Sequence, residues 1–223
     1  RFRPGRSPKR GRKTGHDRPP LEKGAFLKKA GGLIRVALVY PNTYRAGMSS
    51  LGFQTVYRLA NETAFIACER VFLPDNHKSE KQIAIRSMES GLALDQFDLI
   101  LFSVSFENDF THLVRIIGEA GIPPRSSDRN HIHPLVAAGG IACFLNPEPI
   151  APFMDLFLLG EAERLLPPFF ERFREQTGKT VFLSGIEPAI AGAYVPALHP
   201  ETHGLKIQVP FLTDLSQTTT ASC

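Results

Sequence analysis

The sequence predicts a doubly wound α/β domain over residues 31–175, built on five parallel strands. Three observations carry this. Five short runs are almost wholly apolar and β-branched, as strands buried on both faces must be. Helical apolar spacing lies between most of them. Pro or Gly closes nearly every run.

Ala30-Gly31-Gly32 forms a hinge into the first strand, Leu33 to Tyr40, which Pro41 is expected to end. A polar turn, Asn42 to Ser50, leads to a helix with Ser49 or Ser50 as N-cap. Its expected buried face is Leu51, Thr55, Val56, Leu59 and Ala60. Cys68 to Leu73, stopped by Pro74, is the second strand, and a short helix is expected around Ile83 to Ser90. Phe97 to Ser105 is the third strand. The helix after it starts near Asn108 or Asp109, carries Phe110, Leu113, Val114 and Ile117 on one face, and ends at Gly121 and Pro123. A polar loop, Arg125 to His133, precedes the fourth strand, Leu135 to Ala138, which Gly139-Gly140 closes. The fifth strand is Met154 to Leu159, ending at Gly160. A helix opens at Glu161 with Leu165, Leu166, Phe169, Phe170 and Phe173 as its buried stripe, and its Pro167 and Pro168 are expected within the first turn. Right-handed crossovers then give a flavodoxin-like sheet. From Gln176 the periodicity fades, so residues 176–223 read as a connector ending in SQTTTASC.

Composition bounds the function. The 223 residues are 43% hydrophobic and 22% charged, the balance of a globular chain. No apolar run reaches the roughly 18–20 residues that span a bilayer. Charge is lopsided. Residues 1–29 hold eleven Lys or Arg against Asp17 and Glu22, whereas the remainder is acidic by five. The arm, residues 1–30, reads as a disordered tail, with nucleic acid as its alternative partner. Cys68, Cys143 and Cys223 are scattered and odd in number, which argues against a disulfide framework and for a reducing cytoplasm. His131 and His133 beside Asp128 have a chelating spacing, but a solvated loop explains them better. His112 reads as a surface or packing residue. Glu107 and Asp109 form either a carboxylate pair or, for Asp109, a helix cap.

Ligands of open parallel sheets bind outside the carboxyl ends of the strands. The candidate binding residues there are Asn42, Thr43, Tyr44, Gly47, Met48 and Ser49 after strand 1, and Ser103, Ser105, Phe106 and Glu107 after strand 3. Gly139 and Gly140 follow strand 4, and Gly160 and Glu161 follow strand 5. Glycines there allow close backbone approach, and hydroxyls offer donors and acceptors. No GxxxxGK[ST], GxGxxG after strand 1 or GxSxG occurs, so phosphoryl transfer and serine hydrolysis are unsupported.

The order of these loops resembles a family. Cobalamin-binding domains carry Asp-x-His-x-x-Gly after strand 1, Ser-x-Leu after strand 3 and Gly-Gly after strand 4. The matching residues are Asn42-Thr43-Tyr44-Arg45-Ala46-Gly47, Ser103-Val104-Ser105 and Gly139-Gly140. With YPNTYRAGMSSLGFQTVYRL, FDLILFSVSFENDF, AGGIACFLNPEPIAPF and LFLLGEAE, the string from about Ile34 to Phe173 resembles the N-terminal domain of cobalamin-domain radical SAM proteins.

The resemblance implies a corrin held over a catalytic barrel, with Tyr44 beneath or beside it where relatives place a cobalt-ligating histidine, and Asn42 in place of the supporting aspartate. Ser103 or Ser105 with Gly139 and Gly140 would line the channel for the nucleotide tail. The cofactors implied are cobalamin here, and a 4Fe-4S cluster with S-adenosylmethionine in a downstream domain carrying CxxxCxxC. That motif is absent from this sequence, so the chain alone is expected to lack radical chemistry. The implied partner is the radical SAM domain of the same polypeptide. A cofactor-free docking or regulatory domain of the same class stays open beside this reading.

Overall fold

The structure is a computed structural model that describes residues 25–28, 31–74 and 84–200. Most of the basic arm and the chain from residue 201, including Cys223, lie outside the described residues.

The strands are β1 (Ile34–Thr43), β2 (Ile66–Leu73), β3 (Leu99–Ser103), β4 (Leu135–Gly139), β5 (Leu156–Leu158) and β6 (Ala193–Tyr194). Between them run α1 (Tyr44–Met48), α2 (Leu51–Glu62), α3 (Phe110–Glu119), α4 (Ile141–Leu145), α5 (Ala162–Arg174) and α6 (Lys179–Ala189). The sheet order is β2-β1-β3-β4-β5-β6. The first five strands are mutually parallel, and β6 runs antiparallel to β5. Six strands with one antiparallel pair therefore replace the expected five parallel ones. Because β1 connects outward to β2 and β3 lies on its other side, the winding reverses between β1 and β3.

Alternation within β1 sorts its side chains between two cores. Val36, Leu38 and Tyr40 face α2, α5 and α6, whereas Ala37 and Val39 face α3 and α4. Burying both faces is what the unbroken apolar runs demanded.

Several local expectations need correction. β1 does not stop at Pro41 but continues to Thr43, with a register irregularity between Tyr40 and Thr43 where proline has no N–H to give. Ser50 is the residue that caps α2, its Oγ accepting from Phe53 N at 3.3 Å, and Ser49 instead closes α1. The buried stripe of α2 is Phe53, Tyr57 and Ala60, which leaves Leu51 exposed. In place of a helix before Ser90, the described residues form a turn closed by an Arg86–Ala93 bridge. Pro167 and Pro168 lie beyond the first turn of α5. They sit on its exposed side, where the carbonyls they leave unpaired can reach water while the phenylalanine stripe holds the other side in the core. Structure also does not fade after Gln176. α6 packs Phe182 and Ile186 on the core, and β6 pairs with β5.

β2 is an edge strand, and side chains rather than another strand cover its outer side. Asn61 donates to Cys68 O and accepts from Cys68 N, both at 3.1 Å, mimicking a strand partner. Glu89 accepts from Arg70 N and Arg70 Nε, both at 2.7 Å, and from Tyr57 Oη at 2.9 Å. Met88 N donates to Arg70 O, and Lys28 Nζ donates to Ile66 O. The edge groups from Ile66 to Arg70 are thereby occupied. Asn61→Ala leaves both polar groups of Cys68 unpaired, so urea unfolding should show a loss of about 2 kcal/mol.

Candidate functional site

The loops after β1, β3, β4 and β5 converge at the carboxyl end of the sheet, but they do so in two separate groups. The first is the β1–α1 turn. Asn42 Oδ1 accepts from Thr43 N at 2.8 Å, which fixes the amide so that Nδ2 donates to Asp109 Oδ1 at 2.9 Å. Thr43 is half-buried and gives α1 no side-chain cap. Tyr44 packs edge-on against Phe72, with ring centroids 5.3 Å apart. Gly47 is buried beneath, where a Cβ would run into the Phe72 ring. Met48 Sδ lies 3.6 Å from the Arg70 guanidinium, and Ser49 Oγ donates to Arg45 O at 2.8 Å.

The second group forms a cleft. Ser103, Gly139, Gly140 and Gly160 line it together, with Leu165 and Leu166 of α5 as the opposite wall. Its cavity measures about 60 Å³. Small-molecule sites are roughly 300–1,000 Å³. Gly140, with φ +100°, passes so close to Val104 that a Cβ would stand 2.5 Å from its carbonyl oxygen and 2.9 Å from its nitrogen. A Cβ on Gly139 would stand 2.9 Å from Leu158 O. All three motif glycines, Gly47 included, are thus required by the chain's own atoms.

The remaining candidates do not join either group. Ser105 is half-buried, Phe106 and Glu107 are exposed, and Glu161 precedes α5 without a side-chain cap.

Sequence reasoning missed the polar node between the groups. Asp109 is buried and does not cap α3; its Oδ1 holds Asn42, while Oδ2 has no hydrogen-bond partner among the described residues. Glu107 is exposed, so the two carboxylates make no pair. His112 Nδ1 lies 3.0 Å from Pro41 O and 3.5 Å from Asp109 Oδ1, which places a proton on Nδ1. The α3 start beside β1 was the available signal, but the contact spans 67 residues.

Metal chemistry finds no ligand set among the described residues. His133 Nδ1 accepts from Asn130 N at 3.2 Å, and Asp128 takes the Ser127 hydroxyl at 2.9 Å. Cys68 and Cys143 are buried on opposite faces of the sheet, so they cannot share a cluster. Burial raises the Cys68 thiol and pushes Cys143 up to about 12, so both stay protonated.

A corrin does not fit these residues as they stand. The phenol in the ligand position leans on Phe72, the supporting amide is committed to Asp109, and the cleft holds little more than two waters by volume. No helix among the described residues is long and apolar enough to cross a membrane.

Residues 52–196 match the family model described as radical SAM proteins, N-terminal. The match runs through α6 and β6, and it begins after the β1–α1 turn. The chain is also similar to the uncharacterized protein MJ0966 of Methanocaldococcus jannaschii, with 28% identity over 128 residues. That alignment covers 57% of this chain and 24% of the relative, so the chain matches about a quarter of the relative's length. No solved structure matches it. With more than half of its residues inside the family model, the chain belongs to the radical SAM proteins, by the region that they carry at the N-terminus.

Proposed function

We propose that this chain is a non-catalytic docking domain of a radical SAM protein, packing the carboxyl end of its sheet against the catalytic part of a longer polypeptide without a corrin between them. One observation carries the reading. Leu51 (64% exposed), Phe106 (64%), Ile141 (56%) and Leu145 (69%) all lie in segments that follow the carboxyl ends of β1, β3 and β4, the end of the sheet whose cleft is too small for a cofactor. Large apolar side chains grouped in this way mark a surface that another surface covers. In radical SAM proteins S-adenosylmethionine and a cysteine-held 4Fe-4S cluster supply the radical chemistry. The described residues have no place for that cluster, so their task is to position.

The corrin reading keeps one observation in its favour, because Ser103, Gly139 and Gly140 do line one cleft, as the resemblance implies. Filling it would require Leu165 and Leu166 to withdraw. Hydroxocobalamin mixed with the purified chain should leave no corrin absorbance with the protein on gel filtration; co-eluting colour would restore the vitamin. For docking, amide exchange at residues 104–109 and 141–145 should be at least about tenfold slower in the full-length polypeptide than in this chain. Equal rates would remove the docking role.

A further inference from the structure

Beside α6, at the β6 edge of the sheet, one carboxylate holds two points of the chain that lie four residues apart. Glu187 Oε1 accepts from Val195 N at 2.5 Å, and Oε2 stands 2.8 Å from His199 Nε2. A carboxylate only accepts, so this contact places a proton on Nε2. Between the two points a 3-10 turn spans Pro196–Leu198. Leu198 N donates to Val195 O and His199 N to Pro196 O, both at 3.0 Å.

The direction of β6 gives this closure its consequence. Ala193 lies opposite Leu158 and Tyr194 opposite Phe157, so the chain is running toward the start of β5. Continued as a strand, four more residues would carry His199 about 13 Å beyond Val195. Instead, both residues hang on the two oxygens of one side chain, and the run halts there.

An ion pair this exposed would hold little by itself, with His199 29% and Glu187 21% accessible. The hold comes from what surrounds it. Val195 is fully buried, so its N–H has to find an acceptor, and Glu187 supplies one. Glu187 stands on a helix whose Phe182 and Ile186 are fixed in the core. On the other side, the His199 ring leans on Tyr194, with centroids 5.8 Å apart. Tyr194 is buried, stacks on Phe157, and donates from Oη to Glu148 Oε1 at 2.9 Å. Burial, with the Glu148 and Glu187 carboxylates nearby, raises the Tyr194 pKa, so the phenol stays the donor.

We propose that Glu187 is an exit clamp: with His199 as its counterpart it binds residues 195–199 to α6, and the chain leaves the domain from a fixed point. The clamp is independent of the apolar rim. Its use, to set where the following part of the polypeptide begins, rests on the docking reading.

The test is amide exchange of the full chain, read residue by residue. In Glu187→Ala the amides of Val195, Leu198 and His199 should exchange at least about tenfold faster, with Ile100 in β3 unchanged. In His199→Ala the amides at 198 and 199 should accelerate as much, whereas Val195, still bound to Glu187, should not. That variant keeps the test open should Glu187→Ala loosen the whole edge. Spin labels at Leu198→Cys and Glu171→Cys, with Cys223→Ser, give a second reading in the same chain. A narrow distance distribution is expected, broadened about twofold or more by Glu187→Ala. Unchanged exchange at 198 and 199 in both variants would overturn the clamp, and so would an unaltered distribution. Equal acceleration of Val195 in both variants would do the same, since a general loosening of the edge produces it. Each outcome is read without the following part of the polypeptide, so none depends on whether the rim docks.

Discussion

Replacing Gly140 with alanine is expected to destabilise the chain more than almost any other single methyl group would. Gly140 sits at φ +100°, where side-chain-bearing residues rarely go, and holding alanine there costs roughly 1–3 kcal/mol. The new Cβ would also stand 2.5 Å from Val104 O and 2.9 Å from Val104 N. Those atoms cannot rotate away as a flexible side chain could. Val104 N donates to Gly139 O at 2.9 Å, and Val104 O accepts from Ala142 N at 3.2 Å, so the β3 and β4 loops are stitched together at this point. Forcing them apart costs roughly another 1–3 kcal/mol. Urea unfolding should reveal a loss of about 2–6 kcal/mol in all. A loss below 1 kcal/mol would mean that the two loops are looser than they look. Gly139→Ala, which meets Leu158 O at 2.9 Å without a positive φ, should lie lower on the same scale.

The second large effect is expected from Asp155→Ala. The carboxylate is 3% exposed and is the counter-ion to both Arg129 and Lys179. Removing one partner of a buried ion pair typically costs about 3–5 kcal/mol, because the surviving charge stays behind without compensation. Here two charges would remain. Asp155→Asn retains an acceptor for Val136 N and should fall between the wild type and Asp155→Ala. The same cluster gives stability a pH signature at its alkaline end. Lys179 has its folded pKa lowered from 10.5, so over the window just below that value the unfolded chain binds the extra proton. Stability from this group therefore increases with pH there and levels off above 10.5, where both states are neutral. Lys179→Met should remove that rise, which chemical denaturation at several alkaline pH values can resolve.

How much of this was legible in the sequence depended on contact distance along the chain. The strands β1 to β5 announce themselves because each is buried on two faces and is therefore apolar at most positions, Glu69 and Arg70 of β2 being the main exceptions. α5 is equally plain, since its Phe169, Phe170 and Phe173 recur at helical spacing. β6 is hidden because two residues carry no periodicity, and α6 because Gly185 and Pro188 interrupt a short segment. Pro41 looked like a strand terminator, yet an irregular register lets the strand pass it. In the structure, Ser103, Gly139, Gly140 and Gly160, which loop order had placed at neighbouring strand ends, line one small cleft. What no local pattern could supply was where the side chains would be spent. Asn42 is taken by a carboxylate 67 positions on, and Asp155, embedded in a hydrophobic run, by an arginine 26 positions back. Glycines that read as room for a ligand turned out to be room for neighbouring backbone.

The covering of β2 by Asn61, Glu89 and Lys28 also bears on how this chain behaves in a crowd. A sheet whose flank is bare can recruit the flank of another copy and grow without limit. Here that flank is covered from Ile66 to Arg70 by groups that belong to the same molecule, and the far side ends in a strand of only two residues. Concentrated samples should therefore stay free of thread-like assemblies for as long as the fold holds, and any self-association should be of closed stoichiometry.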